Sequence, residues 1–261
     1  MRHLCPSRTV EALSGEKAAG DAKRRCAAVA APVQRDYALG SVLECRLLRT
    51  LANDVDAVTA TAGQYVLKVY GHGRRSYGEV AWEVELLVYL ARQGLSVPTA
   101  LPRVDGQAIG TAQAPAGPRQ MVLFPHAEGR KPEAPSVALY RPFGRTLAEI
   151  HRASDDFATE WPRQALDLPY LLDRALDIIL PHLSERPADA AYVGALADRT
   201  RQRIAALAGS GLDWGVCHGD VSLDNIHVTP GGQLVVYDFD SAGPGWRASD
   251  PWGVMTWVTR G

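Results

Sequence analysis

Carboxylate and amide side chains are concentrated in two short segments near the end of the sequence. The first segment is residues 218–225, His-Gly-Asp-Val-Ser-Leu-Asp-Asn, and the second is residues 238–240, Asp-Phe-Asp. Oxygen donors from a carboxylate and an amide suit Mg²⁺, and a further carboxylate can orient a hydroxyl group and accept its proton. The chemistry that uses both functions together is phosphoryl transfer, in which Mg²⁺ bridges the phosphate oxygens.

The spacing of the two segments separates this chemistry from a plain structural explanation. Any one of the acidic residues could simply cap a loop or end a strand. The segments are joined, however, by two apolar runs at 226–229 and 234–237 around a Pro-Gly-Gly turn, which predicts a hairpin. A hairpin would return the chain, so that Asp238 could reach the same metal ion as Asn225. The joint pattern therefore favours a functional site over a purely structural role for these residues.

At these segments the sequence resembles the aminoglycoside phosphotransferase and choline kinase-like family of small-molecule kinases. Asp220 and Asn225 are spaced as in the kinase catalytic loop H-R-D-x-x-x-x-N, with glycine in place of the arginine, and Asp238 takes the place of the aspartate of D-F-G. The resemblance runs from about residue 38 to 259 and is most specific over 217–240. It implies that ATP is the phosphoryl donor, that Asp220 is the catalytic base, and that Asn225 and Asp238 hold Mg²⁺.

The resemblance also assigns a lysine and a glutamate to nucleotide binding. Lys68, in the apolar run 65–70, lies where the family's lysine contacts the α- and β-phosphates. A lysine inside an apolar strand is costly without a partner, and that partner is expected on the next helix. Glu79, Glu83 and Glu85 are the candidates, of which Glu83 matches the family's position best.

The run 123–129, Leu-Phe-Pro-His-Ala-Glu-Gly, resembles the connector that holds adenine through backbone groups. The resemblance implies that the Pro125 carbonyl and the Ala127 amide face the base. Proline suits the first position because only its carbonyl would be used. The residues alone are equally consistent with an ordinary connecting loop.

Two further positions match residues that support the catalytic loop in this family. His151 matches a structural residue beside that loop, and Asp250 matches an aspartate that braces it, with an N-cap for a helix at Pro251 as the alternative. The sequence departs from the family in having no glycine-rich loop before Lys68. The sequence ends at Gly261, earlier than is usual for the family. We expect it to be a short member, a truncated reading frame or an inactive remnant.

The elements around these residues fall into two parts. Residues 37–124 contain one long helical pattern, at 77–93. They also contain four β-type runs, at 57–61, 65–70, 101–110 and 120–124. Residues 125–261 are mainly helical, with amphipathic patterns at 136–152, 168–184 and 190–208 and a final helix at 246–260. With the resemblance, this predicts an α+β, bilobal protein-kinase-like fold with a small β-rich ATP-binding lobe, a larger helical catalytic and acceptor lobe, and a cleft between them.

Composition restricts the partners. The 261 residues are 46% hydrophobic, enough for a packed core, and residues 1–36 lack periodicity, so we expect them to form a disordered tail. A net charge of −1 predicts no attraction to nucleic acid or to an anionic membrane. No apolar run is long enough to cross a bilayer, and the four cysteines are far apart, as expected of a cytoplasmic protein with reduced thiols.

The predicted function is transfer of the γ-phosphate of ATP to a hydroxyl of a small molecule. The acceptor could be an aminoglycoside or another antibiotic, an amino alcohol or an amino acid, and the oligomeric state is not predicted. A protein Ser/Thr kinase is the alternative within the same chemistry, although only about eleven residues separate Asp240 from Pro251 and no A-P-E segment is present. A nucleotide-binding pseudokinase without turnover is the alternative from another class.

Overall fold

The computed structural model describes residues 26–114, 116–133 and 136–251. Its contacts divide the chain into two units. The first comprises the described residues up to Tyr77 together with Thr99–His126, and the second comprises Gly78–Pro98 together with the described residues from Ala127 onward. Each unit combines helix with antiparallel strands, so the predicted α+β class is confirmed.

The first unit is built on a five-stranded antiparallel sheet with the order β1-β2-β3-β5-β4. Its strands are β1 (Val42–Thr50), β2 (Asp54–Ala60), β3 (Gly63–Val69), β4 (Ile109–Ala112) and β5 (Arg119–Pro125). Buried and half-buried residues alternate along β2, as expected of a strand with one face on a core. The predicted strand over 101–110 is largely absent, because only its last two residues join β4.

A helix precedes this sheet. Residues 26–36, which the sequence predicted to belong to a disordered tail, form helix α1. Val29 and Val33 lie one turn apart on α1 and are buried in the core cluster of the sheet, with exposures of 8% and 0%. The prediction was wrong for these residues because so short an apolar pattern is hard to recognise until the sheet that covers it is known. Residues 1–25 lie outside the described part of the chain.

The second unit contains the longer helices and two short antiparallel ladders. The helices are α2 (Tyr77–Arg92), α3 (Val137–Ala153), α4 (Arg174–Ile179) and α5 (Pro187–Gly209). The ladders pair β6 (Trp214–Cys217) with β9 (Gly243–Trp246), and β7 (Ile226–Val228) with β8 (Leu234–Val236). The second ladder is the predicted hairpin.

Two predicted helices differ from the structure. The helix expected over 168–184 is divided into a π-helical turn at Pro169–Asp173, the short α4, and a 3₁₀ turn at Leu180–Leu183. Pro181 accounts for the last break, because proline has no N–H and its ring disfavours a continuing α-helix. Within the predicted helix 246–260 the structure shows a 3₁₀ turn at Arg247–Ser249, and residues 252–260 lie outside the described part.

The boundary between the units also differs from the predicted one. We expected the helix over 77–93 to belong with the sheet, yet α2 from Gly78 onward belongs to the second unit. Its aromatic residues explain this assignment, because Trp82 and Tyr89 both pack against Phe157, with ring centroids 5.5 and 5.4 Å apart. In the part of the chain that the structure describes, no helix is both long and apolar enough to cross a membrane.

Candidate active site

The first of the two polar segments, residues 218–225, is the loop that follows β6. Strand β6 ends with the buried residues Val216 and Cys217, and the loop ends in a 3₁₀ turn at Leu223–Asn225. Asn225 is only 4% exposed, and its amide Nδ2 donates to both the backbone carbonyl and the carboxylate Oδ2 of Asp220, each at 2.9 Å. The Asp220 side chain itself is exposed. The structure therefore brings together the predicted base and one predicted metal ligand.

Tyr237 connects the second polar segment to this loop. The hairpin of β7 and β8 returns the chain, and the Tyr237 N–H donates to the Asn225 carbonyl at 3.0 Å. The Tyr237 hydroxyl donates to the Asp224 carbonyl at 2.9 Å. Asp238 follows directly, so the second predicted metal ligand is anchored to the first through its neighbour in the chain.

Asp238 has an unusual backbone conformation. Its φ of 65° and ψ of 61° lie in the left-handed region, and it is the one non-glycine residue with positive φ among those described. Aspartate tolerates this region better than most residues, but the conformation still costs free energy and is found mainly where surrounding contacts enforce it. A 3₁₀ turn at Phe239–Ser241 follows at once.

The buried side chain of His218 contacts both the loop 218–225 and the chain around Asp238. Its ring is 1% exposed and stacks at an angle on Phe239, with centroids 4.4 Å apart. Nε2 lies 3.1 Å from the Tyr237 carbonyl, and Nδ1 accepts the Asp220 N–H at 3.3 Å. These contacts require a neutral ring protonated on Nε2. Burial favours the same state, because it lowers the pKa of His218 against the opposing effect of the Asp250 charge.

Asp250 braces the loop, as the family resemblance implied. The Asp250 side chain is fully buried and accepts the backbone N–H groups of His218 and Gly219, both at 2.8 Å. His151 Nε2 lies 2.8 Å from the same carboxylate, which confirms a structural place for His151 beside the loop. Gly219 has a φ of 77°, and a Cβ there would lie 2.2 Å from the Ser241 carbonyl oxygen. This contact explains why glycine stands between the histidine and Asp220.

The predicted phosphate-binding lysine lies in the first unit. Lys68 is on β3, opposite Val55 of β2 and Val122 of β5, and is only 5% exposed. Its ammonium group lies 4.9 Å from the centre of the Tyr70 ring, a cation–π distance.

The predicted glutamate partner lies on α2 in the second unit. Of the three candidates, Glu83 is buried, with 1% exposure, whereas Glu85 is exposed. The Glu85 carboxylate accepts hydrogen bonds from Thr159 and Trp161, so it has another use. Burial thus favours Glu83, the residue chosen from its position.

The predicted adenine connector is divided between the units. Pro125 ends β5, where it pairs with Tyr65 of β3. Ala127 belongs to the second unit, and its carbonyl lies 2.9 Å from Nδ1 of His227 on β7. Just beyond it, the backbones of Arg130 and Val228 exchange two hydrogen bonds at 3.0 and 2.8 Å. The predicted adenine contact is made by the Ala127 N–H, so it does not compete with the contact between the Ala127 carbonyl and His227.

The residues of the second unit fit a magnesium ion in kind. Because the amide nitrogen of Asn225 donates to Asp220, the amide oxygen Oδ1 is the atom that can serve as a ligand, beside the Asp238 carboxylate. Two hard oxygen donors are what Mg²⁺ takes from proteins when phosphate supplies the rest. Among the described residues, no group of three or more His, Cys, Asp and Glu side chains is placed to hold a metal ion.

Arg163 is a residue of this region that sequence reasoning missed. Its guanidinium donates to backbone carbonyls of Phe239, Asp240 and Ala242, directly after Asp238. In the sequence it was one of several arginines interleaved with acidic residues. Because these partners are 76 to 79 residues away, no local signal could have identified it.

Comparison with known proteins places the chain in one family. The family model described as "Phosphotransferase enzyme family" matches residues 45–261. A protein of Deinococcus radiodurans is 42% identical over 206 residues, which cover 78% of this chain and 59% of that protein. A homoserine kinase of Burkholderia multivorans is 28% identical over 204 residues, which cover 75% of this chain and 57% of the enzyme. The chain thus spans less than two thirds of the length of these relatives.

Solved structures share the fold. An amicoumacin kinase in complex with AMP-PNP, Ca²⁺ and Ami superposes with a TM-score of 0.68 at 21% identity, covering 85% of this chain and 66% of that one. A microcompartment-associated aminopropanol kinase gives a TM-score of 0.63 at 23% identity, covering 85% of this chain and 71% of that one. The predicted kinase-like fold is therefore confirmed.

Proposed function

Because the chain belongs to the phosphotransferase enzyme family, we propose that it transfers the γ-phosphoryl group of ATP to a hydroxyl group of a small molecule. One observation carries this proposal. The amide of Asn225 is bonded to Asp220, and Tyr237 ties Asp238 to Asn225. The residue that we propose as base and the two that we propose as metal ligands are thereby linked by hydrogen bonds into one set.

Asp220 is the residue that would act on the acceptor. Its side chain is exposed, so an acceptor hydroxyl can approach it. Asn225 Nδ2 fixes Oδ2 of the carboxylate, which leaves Oδ1 to orient the hydroxyl and accept its proton as the oxygen attacks the phosphorus. Braced by Asp250 and His218, the loop would hold this oxygen in place without a large rearrangement.

The remaining assignments concern metal and nucleotide. The Asn225 amide oxygen and the Asp238 carboxylate would hold Mg²⁺, which, when bound, neutralises charge that develops on the phosphate oxygens. Lys68 would contact the α- and β-phosphates, with Glu83 as its partner. Each of the two residues is buried within its own unit, as expected of charged groups that serve a site rather than the protein surface.

The adenine would be held by the backbone of the connector, through the Pro125 carbonyl and the Ala127 N–H. Two features support this assignment. The Ala127 carbonyl faces His227, and Gly129 packs so closely on Val228 that a Cβ would lie 2.3 Å from its carbonyl oxygen. These contacts hold the Ala127 end of the connector in place within the second unit.

The acceptor that we propose carries an amine close to the reacting hydroxyl. The relatives named for their acceptors support this class, since homoserine and aminopropanol both carry an amino and a hydroxyl group. A protein acceptor is disfavoured by the short span between Asp240 and Pro251, which has no room for an activation loop.

The test is an acceptor panel measured with MgATP. Homoserine, aminopropanol, choline and an aminoglycoside are each supplied, and both ADP release and phosphorylated acceptor are quantified. We expect at least one acceptor to raise ADP release above the acceptor-free rate, with stoichiometric product and a requirement for Mg²⁺. Tight MgATP binding without turnover on any acceptor would contradict the proposal and favour a nucleotide-binding protein without catalysis.

A further inference from the structure

The loop between α3 and the π-helical turn runs along α2. We call residues 157–166 the strap. Near its start, Phe157 packs against Trp82 and Tyr89 of α2. In its middle, Thr159 Oγ1 and Trp161 Nε1 donate to the Glu85 carboxylate at 2.5 and 2.8 Å. The strap is therefore fastened to α2 by both apolar and polar contacts.

Arg163 connects the strap to the segment after Asp238. Its Nε donates to the Ala242 carbonyl, and its Nη2 donates to the Asp240 carbonyl and, at 3.3 Å, to that of Phe239. Its Nη1 turns the other way and donates at 3.0 Å to the Glu79 carbonyl in the first turn of α2. One side chain thus joins α2 to the turn at 239–242.

The same guanidinium also packs on an aromatic face. It lies 5.1 Å from the centre of the Trp82 ring, within the range of a cation–π contact. Trp82 is buried and directly precedes Glu83 on α2. Arg163 therefore contacts α2 both one turn before Glu83 and next to it.

The rest of the strap follows the chain beyond residue 242. The Leu166 N–H donates to the Pro244 carbonyl at 2.6 Å, and Leu166 forms a parallel bridge with Gly245. A Cβ on Gly243 would lie 2.5 Å from the Gln164 carbonyl oxygen, so the two backbones pack without a gap. The strap and the segment 239–245 form one packed unit.

The backbone of Asp238 shows why this packing matters. A non-glycine residue persists in the left-handed region only where the surrounding structure enforces that conformation. The preceding residue, Tyr237, is held by Asn225 and His218. The following residues are held by Arg163, which donates hydrogen bonds to the carbonyls of residues 239, 240 and 242.

We propose that Arg163 is a positioning residue, which holds the metal ligand Asp238 and helix α2, with Glu83, in a fixed position relative to each other. The inference rests on the proposed function, because it assumes that Asp238 binds Mg²⁺. Arginine is required for this task, since its planar fork can donate to several carbonyls at once while its face stacks on Trp82. A lysine would supply a charge but could not span these acceptors.

The test compares Arg163→Met and Arg163→Lys with wild type and with Arg199→Met, a control at an exposed arginine of α5. Nucleotide affinity is measured by calorimetry as a function of Mg²⁺ concentration, and again without metal. We expect Arg163→Met to weaken the apparent Mg²⁺ affinity ~10–100-fold, as loss of a group that orients a metal ligand does. Arg163→Lys should recover part of it, and metal-free nucleotide affinity should change little.

A second measurement on the metal-free protein separates this inference from the proposed function. Hydrogen–deuterium exchange is followed in peptides covering 239–245, the first turns of α2, and the hairpin 226–236. Arg163→Met should speed exchange in the first two peptides and leave the hairpin unchanged.

Unchanged Mg²⁺ affinity and exchange in the folded variants would overturn the positioning role. Equal weakening of nucleotide affinity with and without metal would also overturn it, since that result indicates general destabilisation. If wild type itself shows no Mg²⁺-dependent nucleotide binding, while the exchange result holds, the proposed function is refuted and Arg163 is left with a structural role only.

Discussion

Replacing Asp250 by alanine should destabilise the second unit strongly. The Asp250 carboxylate is fully buried and accepts the N–H groups of His218 and Gly219, with His151 at 2.8 Å as a third contact. A hydrogen bond to a charged group contributes about 1.5–3 kcal/mol. Removing the acceptor of the two backbone N–H groups should therefore cost about 3–6 kcal/mol. That is a large part of the ~5–15 kcal/mol that stabilises a typical domain.

Urea unfolding followed by tryptophan fluorescence and circular dichroism measures this cost. Asp156→Ala is the matched control, because Asp156 is an exposed aspartate and surface substitutions usually change stability by less than ~0.5 kcal/mol. Asp250→Asn should fall between the two, since its amide oxygen can still accept while its NH₂ meets a donor. If Asp250→Ala unfolds with the midpoint of the control, Asp250 does not brace the loop and the reasoning is refuted.

Three further predictions follow from the same structure. Asp238→Ala should abolish Mg²⁺-dependent nucleotide binding, because the Asn225 amide alone carries no charge to hold the ion; equal MgATP affinities in calorimetry would show that Asp238 only ends a strand. Val33→Ala should lower the free energy of unfolding by about 1.5 kcal/mol or more, since it removes two fully buried methyl groups at ~0.8 kcal/mol each, whereas the exposed control Gln34→Ala should change it little. Equal thermal midpoints in the two variants would show that α1 adds nothing to the stability of the sheet. The hydrogen bond from Arg35 lowers the pKa of Asp36, so this interaction stabilises the fold above the unfolded pKa of about 3.9, and the stabilisation is lost as the pH falls through the lower folded pKa. In a plot of unfolding free energy against pH, Asp36→Asn should therefore reduce the slope in the acidic range, and an unchanged slope would contradict this prediction.

Features that are close in sequence were the ones that could be predicted. The loop 218–225 and the segment 238–240 are joined by a hairpin, and the turn residues between the two strands made that hairpin recognisable. Because this short stretch holds Asp220, Asn225 and Asp238, spacing alone was sufficient to propose their grouping. The contacts of Asn225 and Tyr237 agree with it.

Features that depend on distant partners could not be predicted. Strand β9, Gly-Pro-Gly-Trp, has no intrinsic preference for extended structure and forms through its pairing with β6. Arg163 is placed by carbonyls more than seventy residues away. The short apolar pattern of α1 becomes meaningful only when the sheet that buries Val29 and Val33 is known. In each case tertiary contacts, rather than local propensity, decide the structure.

The proposed catalytic role of Asp220 is tested most directly by substituting its carboxylate and measuring phosphoryl transfer to an acceptor identified in the panel. The variants are Asp220→Asn and the control Asp224→Asn, which removes an exposed carboxylate of the same loop and its surface contact with Lys131 at 3.2 Å. Such a surface ion pair contributes little. We predict that Asp220→Asn lowers kcat ~10²-fold or more, because an amide cannot accept the proton of the hydroxyl, while MgATP affinity and the control remain near wild type. A near-native kcat in Asp220→Asn would contradict the assignment of Asp220 as the base.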